Sequence, residues 1–132
     1  MSLGRVMSAK DVLDAFWDGF LPINPSEIAR KVGISVQGNT ALATSGLVEL
    51  DTRTGGVSIT FRMTDSPVRQ RFTIAHELGH YFLGHLYRPE AEQKDYVRLF
   101  RDDQGNYSVH AMPIEREANS FAAELLMPKA GI

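Results

Sequence analysis

Apolar and polar positions divide the chain into stretches of helical period and one stretch of strict alternation. Ser8 with Asp11 three residues on has the form of a helix start. Val12, Leu13, Phe16, Trp17 and Phe20 follow at helical spacing, so a first helix laying an aromatic stripe on the core is expected. After Leu21-Pro22, the run Asn24-Pro25-Ser26-Glu27 offers a cap, a proline for the first helical position and a glutamate to complete the box. A short second helix over residues 26–32 is predicted, ended by Gly33. Short strands are expected at 34–36 and 41–43. Residues 47–50 and the alternating Val57-Ser58-Ile59-Thr60-Phe61, joined by the polar turn 51–56, predict a β-hairpin.

Ser66 caps and Pro67 opens a long helix that Gly84 and Pro89 bring to an end. Phe72, Ala75, Phe82 and Leu83 cover one side of it, and Ile74, Leu78 and Tyr81 much of another, so it is expected to sit between layers. Residues 88–112 are polar and punctuated by proline, Asp-Asp and Gly-Asn. They are read as a loop bordering the site, with Tyr96, Val97, Leu99 and Phe100 as a short helix inside it. A last helix is predicted over 113–127. Together these elements give an α+β fold in a single domain spanning 1–132. Residues 1–7 are expected to be disordered or an artificial extension.

The polar remainder of the long helix is where chemistry enters. His76-Glu77-Leu78-Gly79-His80 has the form H-E-x-x-H. At about 100° per residue the two histidines and the glutamate fall at roughly 0°, 40° and 100°, in one sector of the helix. The histidines offer two ligands to one zinc ion, and Glu77 stands where it can take a proton from water at the metal. Shuffling this composition gives roughly 0.005 such matches per chain, so chance is a weak account; the bland alternative is a buried helix with two satisfied histidines. His85 lies about 140° further round from His80, a poor third ligand and more suited to a structural or supporting role. On the last helix, Glu115, Ala118, Asn119, Ala122 and Leu126 share a face by the i, i+3, i+4, i+7 rule, while Glu117, Ser120 and Glu124 share another. Glu115 is therefore the carboxylate beside small packing residues and the expected third ligand. Alanines at 118, 122 and 123 would let this helix approach the first closely. The strand over 57–61 is a candidate edge for a peptide substrate, with an interior strand as the alternative. Tyr107 and His110 are candidates for stabilising an oxyanion, against the plainer reading of solvated loop residues.

Composition narrows the partners. With 43% apolar and 23% charged residues, a formal charge of -2 and a pI near 6.1, the chain gives no electrostatic case for general nucleic-acid or anionic-membrane binding. Residues 26–36 resemble the first half of a helix-turn-helix. A recognition helix would have to run through Gln37-Gly38-Asn39-Thr40, which reads as a loop, so a DNA-binding regulator is the weaker alternative. The absence of cysteine excludes disulfides, thiolate zinc sites and a cysteine nucleophile together. No apolar run approaches a membrane span, and a cytoplasmic location is expected.

Four stretches, IARKVGI, an SG before the hairpin, RQRFTIAHELGHYFLGH and IEREANSFAAELLMP, resemble the ImmA/IrrE metallopeptidases of bacteria and their mobile elements. The resemblance implies one zinc ion held by His76, His80 and Glu115, Glu77 as general base, and a zincin-like fold. In that fold a small β-sheet packs against the H-E-x-x-H helix, and a C-terminal helix carries the third ligand. It also implies a protein substrate, a helix-turn-helix transcriptional repressor whose cleavage derepresses stress or mobile-element genes. The alternative is a non-catalytic partner of such a repressor, an antirepressor or toxin-antitoxin component with a structural metal. The sequence reaches little beyond LLMP, and a chain without the added C-terminal domain of longer members is expected.

Overall fold

A computed structural model describes residues 6–87, 96–101 and 112–127. The capping box at the start is formed as the sequence predicts: the Asp11 N–H donates to Ser8 Oγ at 3.2 Å and the Ser8 N–H donates to Asp11 at 3.1 Å. Helix α1 runs over Ala9–Phe16 and stops there, with Trp17 in extended backbone. The aromatic stripe is therefore shorter than its spacing suggests, because Phe20 falls beyond the helix and is 75% exposed. Helix α2, Pro25–Lys31, is capped by Asn24, whose side chain accepts from Ser26 and Glu27; the Glu27 carboxylate turns to Arg30. Met7, expected outside the fold, donates its N–H to Phe82 O at 3.0 Å.

Strand β1 is Ser35–Asn39, β2 is Gly46–Asp51 and β3 is Val57–Arg62. The hairpin of β2 and β3 forms in the expected place, but 41–43 form no strand. Because 35–39 pair with β3, the recognition helix of a helix-turn-helix has no chain to form from. Helix α3, Pro67–Phe82, follows its Ser66 cap and opening proline. Residues 96–101 are a strand, β4 (Tyr96–Arg101), where a short helix was expected. Tyr, Val, Leu and Phe suit a strand at least as well as a helix, and the register decides it: Leu99 and Val97 stand opposite Val48 and Leu50 of β2. The rest of 88–112, short of α4 (Met112–Leu126), lies outside the described residues.

The sheet order is β1-β3-β2-β4, with β1 parallel to β3 and the other pairs antiparallel. This places β3 in the interior, flanked by β1 and β2, so the strand over 57–61 offers no free edge to a substrate. Among the described residues the edges are β1 and β4. Val48, Leu50, Val57 and Ile59 turn one face of the sheet into a core shared with Ala75, Leu78 and Phe82 of α3 and Phe121, Ala122 and Leu125 of α4. Leu78 is fully buried, and burying a leucine stabilises the fold by about 1.5–3 kcal/mol. Helix α3 contacts β2 and β3 as well as α4, so its flanks are apolar and its ligand sector meets α4. Among the described residues, no helix is long and apolar enough to cross a membrane.

Candidate metal centre

Two close approaches bring the polar groups together. At Gly79 an added Cβ would lie 3.1 Å from Phe121 and 3.2 Å from Ala118 Cα, so α3 and α4 touch almost backbone to backbone. Ala118 stands at that contact and Ala122 is buried in the core, whereas Ala123 is exposed. At Gly46 a Cβ would stand 2.3 Å from Thr73 Cγ2 and 2.8 Å from Glu77 Oε2, so the start of β2 is pressed against α3 beside Glu77.

The first contact brings Glu115 to the histidines. His76 Nε2 is 2.9 Å from Glu115 Oε1 and His80 Nε2 is 3.1 Å from Glu115 Oε2, so each carboxylate oxygen faces one ring. One ligand atom from each of His76, His80 and Glu115 lies within 4.8 Å of the others. His76, His80 and Glu77 are fully buried and Glu115 is 2% exposed. Of the two glutamates weighed on α4, Glu115 is the one brought into the cluster. Its face is also the one that the helix geometry selects.

The charges fit a cation. His76 Nδ1 lies 2.8 Å from Asn119 Oδ1, an acceptor, so that nitrogen carries the ring hydrogen and Nε2 presents a lone pair to Glu115. A lone pair and a carboxylate oxygen at 2.9 Å repel unless a proton or a metal ion lies between them. His80 Nε2 is buried without a hydrogen bond, although Glu115 Oε2 stands 3.1 Å away. Burial pushes the His80 imidazole down to about 4, so it is neutral and free to ligate at pH 7. For Glu115 burial alone would raise the carboxyl, but the His76 and His80 imidazoles facing it outweigh burial and hold the group at about 2. Two imidazoles and one carboxylate, each imidazole within 2.9–3.1 Å of a carboxylate oxygen, suit a borderline divalent ion.

A family comparison adds an independent line. The peptidase family described as the IrrE N-terminal-like domain matches residues 29–132. The chain belongs to the IrrE N-terminal-like peptidase family. No curated protein matches the chain. Family membership, the α+β fold and the clustered His76, His80 and Glu115 agree in indicating a metallopeptidase architecture of the zincin kind.

Around this IrrE-like centre, the other expected residues divide. His85 lies in the turn that follows α3, with its Nδ1 2.8 Å from His80 Nδ1, in the supporting position expected of it. Tyr107 and His110 lie outside the described residues. Two residues had no role assigned from sequence. Asn119 was visible four residues after Glu115 on the same face, but the face argument gives it no function. Gly46 carried no signal beyond standing before the hairpin. A surface hollow between α2 and β1, lined by Asn24, Glu27, Arg30 and Ile34 among others, shares no residue with the centre.

Proposed function

We propose that the protein is a zinc-dependent endopeptidase and that its substrate is a helix-turn-helix transcriptional repressor. The observation that carries the enzyme reading is the His76, His80 and Glu115 cluster drawn from two helices, with Glu77 buried one residue from the first ligand. In this reading His76, His80 and Glu115 hold one zinc ion and leave a fourth position open. When bound, the zinc supplies Lewis acidity, which makes water a stronger acid and polarises a peptide carbonyl. Glu77 takes the proton from the attacking water and hands it to the departing amine. Gly46 at the start of β2 comes close to the Glu77 carboxylate, so close that an added Cβ would stand 2.8 Å from Oε2. The repressor substrate rests on the family resemblance; derepression of stress or mobile-element genes would follow from its cleavage.

The test is to purify the wild type and Glu77→Gln, and to incubate each with the product of a neighbouring reading frame that encodes a helix-turn-helix repressor. Cleavage by the wild type, stopped by a chelator and absent in Glu77→Gln with zinc still bound, is the expected outcome. Full biological activity in Glu77→Gln would instead support a non-catalytic partner that grips the repressor.

A further inference from the structure

Glu117 and His85 stand outside the cluster, yet a line of hydrogen bonds ties them to it. His85 Nε2 lies 2.7 Å from Glu117 Oε1, and His85 Nδ1 lies 2.8 Å from His80 Nδ1. The His85 ring returns to His80 because the chain turns after α3: the His85 N–H donates to His80 O at 3.0 Å. The carboxylate end decides which atoms donate. A carboxylate oxygen accepts, so His85 Nε2 carries a hydrogen and donates it to Glu117. A neutral imidazole carries one ring hydrogen, which leaves His85 Nδ1 as an acceptor. Two Nδ1 atoms at this distance can then bond only if His80 Nδ1 carries the hydrogen. His80 Nε2 is left with its lone pair, and this is the nitrogen that faces Glu115 Oε2.

We propose that Glu117 and His85 are positioning residues that set the tautomer and orientation of His80, so that its Nε2 is presented bare to the metal. The proposal rests on the metal-centre reading above. His76 reaches the same state through one partner, Asn119. His80 needs two, because an imidazole such as His85 either donates or accepts at Nδ1 and so transmits a direction without choosing it. Glu117 chooses. Its side chain is 59% exposed while that of His85 is 6% exposed, so the line runs from the surface inward to the buried ligand. Helix α4 thus supplies Glu115 to the cluster and, two and four residues on, the groups that orient both histidines.

The test uses the full chain. In the metal-free wild type, long-range proton–nitrogen correlation spectra of the imidazoles should show the hydrogen of His80 on Nδ1 and that of His85 on Nε2. The reverse pattern would overturn the proposal. Glu117→Gln changes an exposed side chain to an amide that donates as well as accepts, so the direction is no longer imposed. The His80 tautomers should become mixed, and zinc affinity, read by competition with a chelator, should fall about 10- to 100-fold. His85→Ala should lower it over the same range, while Glu124→Gln, exposed on the same helix, leaves it unchanged. Unaltered zinc affinity in both Glu117→Gln and His85→Ala would overturn the proposal while leaving the metal centre standing. A wild type that binds no zinc would remove the metal centre itself, and this proposal with it.

Discussion

Gly46→Ala tests how β2 meets α3 beside the proposed general base. The new Cβ would lie 2.3 Å from Thr73 Cγ2 and 2.8 Å from Glu77 Oε2, with Thr60 O at an ordinary 3.5 Å. The first two distances are too short to persist. Thr73 is buried and β-branched, with few rotamers on a helix, and Glu77 is fully buried, so neither side chain has open solvent to swing into. The strain is then shared between β2 backing away from α3 and a shift of the Glu77 carboxylate. Overpacking of this kind costs about 1–3 kcal/mol, which for a chain of 132 residues lowers Tm by roughly 4–10 °C. Misplacing a reacting group by about 1 Å lowers turnover by about 10²-fold. None of the three atoms nearest the new Cβ belongs to His76, His80 or Glu115, so zinc content should be unchanged. Adding Thr73→Ser removes Cγ2 and keeps the hydroxyl, relieving the shorter contact and leaving the one with Glu77. The double variant should be more stable than the sum of the two single changes implies, with cleavage still low. Calorimetry, metal analysis and a cleavage assay read the three quantities. Wild-type Tm and turnover in Gly46→Ala would refute the reasoning, and loss of zinc would show that the substitution acts on the ligands.

Acid should destabilise the metal-free protein in a defined window. His80 falls from 6.5 to about 4 on folding, so the unfolded chain binds the extra proton: stability is full above about pH 6.5 and is lost as pH drops towards 4. The loss is about 3 kcal/mol at 1.36 kcal/mol per unit, and a urea midpoint unchanged between pH 7 and 4 would contradict it. Glu115, lowered from 4.5 to about 2, extends the same trend below pH 4.5. Glu115→Ala should abolish stoichiometric zinc binding, measured on purified protein; retention of a full complement would mean that the third ligand is elsewhere. Asn119→Leu removes the acceptor for His76 Nδ1 and should weaken zinc binding about 10- to 100-fold, whereas Asn119→Asp, which keeps an acceptor, should stay close to wild type. Equal affinities in the two variants would argue against the His76 tautomer assigned to the site.

The sequence foretells the parts whose chemistry is local and misleads where tertiary pairing decides. Ser8 with Asp11, and Ser66 with Pro67, predict their helix starts because a cap needs only residues within one turn. His76, Glu77 and His80 share a sector by helix geometry alone, and Glu115 follows from the company it keeps on its own face. The expected helix at 96–101 failed for the opposite reason. A short run of Tyr, Val, Leu and Phe has no preference strong enough to settle its period, and β2 settles it by offering a partner in register. The same pairing converts the 57–61 strand from candidate edge to interior strand, since its place depends on β1 joining its far side. Glu117 shows a subtler limit. Helix periodicity sorts side chains by direction and so separates Glu117 from Glu115, but it says nothing of where the chain returns after α3. His85 comes back through that turn and joins His80 to Glu117. Angular position therefore identified the group that faces the cluster and missed the one that reaches it through a neighbour. Two glutamates that compete for one role in the sequence stand in two different surroundings in the folded chain, Glu115 against His76 and His80 and Glu117 against His85.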